Sequence, residues 1–175
     1  MKATMRQRHA LVAVSGAMTA LVSATLAVEM PKRIFWNATA SVPIGLYMAA
    51  SPGKLALGDI VIFDPPATIA GFADRRGYLP AGTPMLKRIA GLKGDCVCRH
   101  GTEVRIRQLA VTARLNDRQG RLLPAWDGCR KLGRSEVFLL NANVPDSLDG
   151  RYFGPQSVDR LQAIAIPILT FGEAG

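Results

Sequence analysis

Leu86-Lys87-Arg88-Ile89-Ala90-Gly91-Leu92-Lys93-Gly94-Asp95 sets a basic pair inside an apolar run and closes it with a Gly-Asp turn. Met85 to Ile89 reads as a strand, and Gly91 to Asp95 as the turn that ends it. A lysine in such a strand loses water around its amine, which disfavours the ammonium and makes the neutral amine available as a base. A base of this kind needs a nucleophile in the same dry cleft, because a serine hydroxyl is a poor nucleophile at neutral pH. Ser41, in Asn37-Ala38-Thr39-Ala40-Ser41-Val42-Pro43-Ile44-Gly45-Leu46-Tyr47, is the candidate. From the residues alone, Ser41 reads equally as a turn residue before Val-Pro. Lys87 reads equally as a solvated strand lysine, a role that Arg88 fills as well.

Around this centre the chain reads as short strands broken by turns. Gly58-Asp59-Ile60-Val61-Ile62-Phe63-Asp64 is a turn feeding an apolar strand that Pro65-Pro66 ends. Residues 67–83 mix Gly, Pro and both charges, which predicts a loop or lid. Cys96 to Leu115 is rich in strand formers, and Val104-Arg105-Ile106-Arg107 alternates as a half-buried strand whose arginines face solvent. Asn116 to Gly133, with Gly120, Pro124 and Gly128, predicts an inserted hairpin or loop. Glu136 to Asn141 is another strand, Asn143 to Gly154 a polar loop, and Leu161 to Phe171 a terminal apolar strand. With 17 Gly, 11 Pro and 6% aromatics in 175 residues, the composition suits a mainly β domain with many turns.

The N-terminus is different. Residues 1–9 carry Lys2, Arg6 and Arg8, and residues 10–28 have no charge. The second segment is just long enough to span a bilayer, and its Ala, Ser and Thr content fits a cleaved signal equally well. Either reading leaves the basic residues cytoplasmic and residues 29–175 outside the cytoplasm. Ile34, Phe35 and Trp36 in the connector then fall where side chains rest in the membrane interface. The net charge is +9; without Lys2, Arg6, Arg8 and Glu29, 19 basic residues face 12 acidic ones, leaving +7. That excess suits anionic headgroups. The basic residues are dispersed and no groove-reading motif accompanies them, so direct nucleic-acid binding is not expected. Cys96, Cys98 and Cys129 sit in a compartment that permits disulfides, and the pairing favoured is Cys98 with Cys129. With only His9 and His100 to add, a zinc site lacks ligands.

The blocks at Ser41, Gly58–Phe63, Leu86–Asp95 and Ser147-Leu148-Asp149-Gly150-Arg151-Tyr152-Phe153-Gly154 occur in the order that resembles type I signal peptidases. The Ser-Val-Pro-Ile-Gly-Leu-Tyr form looks like the TraF-type branch that processes pilins for conjugative transfer; general signal peptidases place the proline one position later. The resemblance implies a coiled β-sheet catalytic domain behind an N-terminal membrane-spanning or signal helix. It implies Ser41 as nucleophile, Lys87 as general base, and Ser147 as the hydroxyl that orients the amine. Asp149 and Arg151 would brace the loop, and Thr39 would donate to the oxyanion beside the Ser41 N–H. Small residues such as Ala90 and Gly91 would line a shallow pocket. No cofactor or metal is implied. The expected partners are a pilin precursor, the inner membrane and proteins of the conjugation apparatus, with the catalytic domain in the periplasm. Hydrolysis and cyclisation of the pilin both remain open, as does a catalytically silent role in assembly.

Overall fold

Apolar runs punctuated by Gly and Pro give eleven strands among the described residues. The computed structural model describes residues 34–172, together with Met5, residues 14–16, Met18 and Thr19. In chain order the elements are β1 (Ile34–Asn37), β2 (Ile44–Ala50), β3 (Ile60–Phe63), α1 (Ala67–Arg75), β4 (Met85–Gly91), β5 (Cys96–His100), β6 (Glu103–Ile106) and β7 (Leu109–Thr112). There follow β8 (Gly128–Lys131), β9 (Glu136–Leu139), a one-turn α2 (Gly150–Phe153), β10 (Gln156–Ser157), a 3₁₀ turn (Val158–Arg160) and β11 (Leu161–Phe171). One sheet has seven strands in the order β1-β2-β11-β3-β4-β9-β10, and the other has four in the order β7-β6-β5-β8. All pairings are antiparallel.

The chain divides into two units, Met1–Lys32 and Arg33–Gly175. In the first, the Thr19 hydroxyl donates to the Ser15 carbonyl. Most of the anchor or signal segment expected over residues 10–28 lies outside the described residues, as does most of the basic segment before it. Among the described residues no helix is long and apolar enough to cross a membrane.

In the second unit, β3 lies between β11 and β4 and is buried along its whole length. That burial explains its unbroken Ile-Val-Ile-Phe run. Alternation sends Val61 and Phe63 into a cluster with Met85, Ile89, Val137 and Leu139, and Ile60 and Ile62 into one with Val42, Tyr47 and Leu86. A third cluster joins the smaller sheet through Val97, Val104 and Ile106 to Phe138 and Tyr152.

Three expectations need correction. Residues 67–75 are helical: Ile69, Phe72 and Ala73 stand at i, i+3 and i+4, and Ala73 is buried with Ile69 packed on the same cluster. Gly71 and an N-terminus capped by Pro66 without a side-chain bond hide that helix. Phe35 is not an exposed partner of Ile34 and Trp36; it stacks on Tyr47 with ring centroids 5.8 Å apart. Gly91 is a packing position between the two sheets: a Cβ there would lie 2.2 Å from Ile106 Cδ1, 3.0 Å from Leu132 Cδ1 and 3.2 Å from Phe138 Cβ, so a larger residue would force those buried side chains to shift.

Candidate active site

Ser41 lies in the connection between β1 and β2, which pair from Ile34↔Met48 to Asn37↔Gly45. Gly45 has φ +152, and a Cβ there would sit 2.1 Å from the Leu169 carbonyl oxygen of β11, so only glycine permits the strands to approach here. The loop is tied by the buried Asn37. Its Nδ2 donates to the carbonyls of Thr39 (2.8 Å), Val42 (3.2 Å) and Pro43 (3.1 Å). Its Oδ1 accepts from the Thr39 N–H (3.1 Å) and hydroxyl (2.8 Å). Tyr47 adds a hydroxyl bond to the Pro43 carbonyl at 2.6 Å. Ser41 Oγ is half-buried and 3.3 Å from Thr39 Oγ1. Because the single Thr39 hydroxyl proton goes to Asn37, the shared proton of the Thr39–Ser41 pair comes from Ser41.

Lys87 sits mid-β4, opposite Val61 of β3, and is 4% exposed. Its Nζ donates to Ser147 Oγ at 3.2 Å. Desolvation pushes its pKa from 10.5 down to about 8; Asp149 pulls it back up and Arg151 adds to the depression. Asp149 and Arg151 are both fully buried and paired at 2.8 Å. The carboxylate also caps α2 at the Arg151 N–H and accepts from the Asn141 N–H. The guanidinium donates to the carbonyls of Asn141, Val144 and Pro145. A buried pair gains from such extra bonds, since they offset the cost of dehydrating two charges.

Asn141, read from the sequence only as the end of a strand, joins these parts. Its Oδ1 accepts from the Arg88 N–H at 3.0 Å, and its Nδ2 reaches the Leu86 carbonyl and Ser147 Oγ, each at 3.5 Å. It therefore grips β4 on both sides of Lys87. The Asn141 role depends on tertiary placement, and no local pattern distinguishes it from a loop residue, whereas Asn37 bonds residues two to six positions further along its own loop.

Ser41 and residues 140–144 border one cleft of about 740 Å³, with Arg88, Ala90, Arg107 and Leu109 among its other walls. The loop of Ser147, the β4 neighbours of Lys87 and the β6–β7 turn thus meet the Ser41 loop there. Among the described residues no hydrogen bond joins Ser41 to Lys87. The smaller sheet is pinned to the base side by buried Arg99, which donates to the Arg151 carbonyl. On its outer face Cys98 and Cys129 form a disulfide, and Cys96 is free and exposed.

The sequence of the chain belongs to a known class. The chain is a member of the family described as signal peptidase, peptidase S26, which matches over residues 6–169. Within that class it is similar to the plasmid transfer protein TraF of Escherichia coli, 34% identical over 146 residues covering 77% of this chain and 82% of the relative. It is also similar to the conjugal transfer protein TraF of Agrobacterium tumefaciens (strain 15955), 33% identical over 183 residues covering 95% and 99%. Among solved structures, a signal peptidase I from Enterococcus faecalis V583 is similar at 20% identity and a TM-score of 0.38, covering 65% of this chain and 98% of that one.

Proposed function

We propose that the protein is a membrane-associated serine-lysine endopeptidase that processes a pilin precursor for conjugative plasmid transfer. The observation that carries this reading is the amine of Lys87: it is buried, its pKa is lowered to about 8, and the Ser147 hydroxyl aims it. A structural lysine gains nothing from that environment, whereas a general base works best with a pKa near the operating pH. The transfer role is supported by the similarity to the plasmid transfer and conjugal transfer proteins TraF.

In the proposed reaction Ser41 Oγ leaves Thr39 and gives its proton to neutral Lys87 Nζ as it attacks the scissile carbonyl. Lys87 then returns the proton to the departing amine, leaving an acyl group on Ser41. Catalytic hydrogen bonds often form only once substrate is bound, so this step does not require Ser41 and Lys87 to be bonded to each other beforehand. The Ser41 N–H is the first oxyanion donor. Thr39 becomes the second only by turning its proton away from Asn37. Asp149 and Arg151 act through the loop they hold. Water would release the acyl group as a linear product, and the amine of the pilin itself would release it as a ring. Exposed Ile34, Trp36 and Phe171, with the Trp36 and Phe171 rings 6.2 Å apart, support seating of this sheet edge at a bilayer.

The test is the mass of the pilin precursor co-expressed with wild type, Ser41→Ala or Lys87→Ala, each checked for folding. Processing by wild type alone is expected, and a product lighter by one water would identify cyclisation. Equal processing by all three would remove the enzyme and leave an assembly role.

A further inference from the structure

We propose that Arg88 is a specificity-determining residue that receives a carboxylate of the polypeptide substrate in the cleft beside Ser41, an inference that rests on the peptidase reading above. Arg88 follows Lys87 on β4, is half-buried and borders the same cleft as Ser41. Its Nη1 donates to the Gly58 carbonyl at 3.0 Å, and among the described residues its other guanidinium N–H groups have no protein acceptor. Among the described residues no carboxylate pairs with it. The second cation of the cleft, Arg107, is already neutralised by Asp95 at 2.6 Å. Among the described residues no Asp or Glu lines the cleft.

The adjoining pocket, which shares Pro43, Gly58 and Arg88, does contain Asp59. That carboxylate accepts from the Ala56 N–H at 2.8 Å and does not reach the guanidinium. Arg88 is therefore a half-buried arginine held by one carbonyl and, among the described residues of this wall, without an acid to pair with. Guanidinium and carboxylate match as planar, two-point partners, and partial burial strengthens such a bond. Arg88 and Ser41 line the same cleft, which places the carboxylate beside the proposed nucleophile, whereas the strand alternation turns Lys87 to the other face of β4. The carboxylate has two sources, an acidic side chain or the terminal carboxylate of a chain cut near its end.

Three fluorescent decapeptides built on alanine separate these sources: one with Glu scanned through the central four positions and an amidated C-terminus, its Gln counterpart, and the Gln peptide with a free C-terminus. Binding is read by anisotropy on Ser41→Ala, and cleavage on wild type. The expected result is roughly tenfold or greater preference for one carboxylate peptide over the Gln amide, as a charge-assisted bond would give. The preference should be abolished by Arg88→Gln, partly kept by Arg88→Lys and inverted by Arg88→Glu toward a Lys peptide. The Glu arm identifies a side chain, and the free-acid arm a chain end. Equal binding of all three peptides, no binding of any, or a preference that survives Arg88→Gln would overturn the proposal. Arg88-dependent binding without cleavage by wild type would keep the carboxylate receptor and remove the peptidase reading.

Discussion

Two asparagines, each 4% exposed, organise the two halves of the candidate site, and they do so differently. Asn37 bonds only within its own loop, to Thr39, Val42 and Pro43, beside a serine that is still half open to solvent. Asn141 connects β4, Ser147 and the Asp149–Arg151 pair, and the lysine it flanks is nearly dry. The base half is thus set by long-range packing, and the nucleophile half by a local turn. A lysine must be desolvated before it can act as a base, whereas a serine needs only to be aimed, and the construction follows that difference.

The largest expected effects come from removing either reacting group. Ser41→Ala and Lys87→Met should each lower the processing rate on the order of 10⁴-fold. They should diverge in stability. Below pH 8 the folded chain holds an ammonium in a dry site, and the drop from 10.5 to about 8 corresponds to a cost of about 3 kcal/mol. Between about pH 8 and 10.5 the unfolded chain binds the extra proton, so wild-type stability should rise with pH across that window. Lys87→Met should be more stable than wild type at pH 7 by a similar amount, with the advantage vanishing above pH 10.5. Ser41→Ala should show no such pH-dependent gain. Denaturant melts at pH 7 and pH 10.5 check both, and equal stability of wild type and Lys87→Met at pH 7 would mean that the amine is hydrated.

The pH dependence of processing sharpens the contrast. In the proposed mechanism only neutral Lys87 accepts the serine proton, so the rate should climb through about pH 8. The asparagine variants should then separate. Asn141→Ala leaves the Arg88 N–H without its acceptor, costs about 1–3 kcal/mol of stability and should shift the pH midpoint, because Ser147 and the Lys87 segment lose a shared clamp. Asn37→Ala frees the Ser41 loop, should lower the rate by roughly 10- to 100-fold, and should leave the midpoint where it is. Identical pH midpoints in both variants would erase the distinction between the halves.

The parts of the molecule legible in the sequence are those whose cause is local. The Ile60–Phe63 run, the Val104–Ile106 alternation and the Leu161–Phe171 strand show their burial in their pattern. The order of the Ser41, Lys87 and Ser147 blocks pointed to the family that residues 6–169 match. Helix α1 was legible in Ile69, Phe72 and Ala73, but Gly71 and the flanking prolines argued against it. Asn141 could not be found this way. Its neighbours in space, Leu86, Arg88 and Ser147, are up to 55 residues distant in the chain, and its bonds depend on β9 ending where β4 continues. That Arg88 meets no acid among the described residues of the cleft was equally hidden, because it depends on the tertiary fold.

The smallest effect on rate should come from the disulfide, although its effect on stability is large. Cys98 and Cys129 are 31 residues apart, and closing a loop of that length in the unfolded chain stabilises the fold by about 3–4 kcal/mol. The bond ties β5 to β8 in the smaller sheet, away from the contacts of both asparagines. Cys98→Ala with Cys129→Ala should therefore lower the melting temperature by roughly 10–15 °C and leave the processing rate within about twofold at a temperature where the variant is folded. One connection could defeat that expectation. Arg99, next to Cys98 on β5, donates to the Arg151 carbonyl, and Arg151 holds the loop of Ser147. If β5 shifts when the disulfide is removed, that bond would carry the shift to Lys87, and both the rate and its pH midpoint would move. A fall in rate without a change in midpoint would instead place the coupling at the β6–β7 turn, which borders the cleft on the Ser41 side through Arg107 and Leu109.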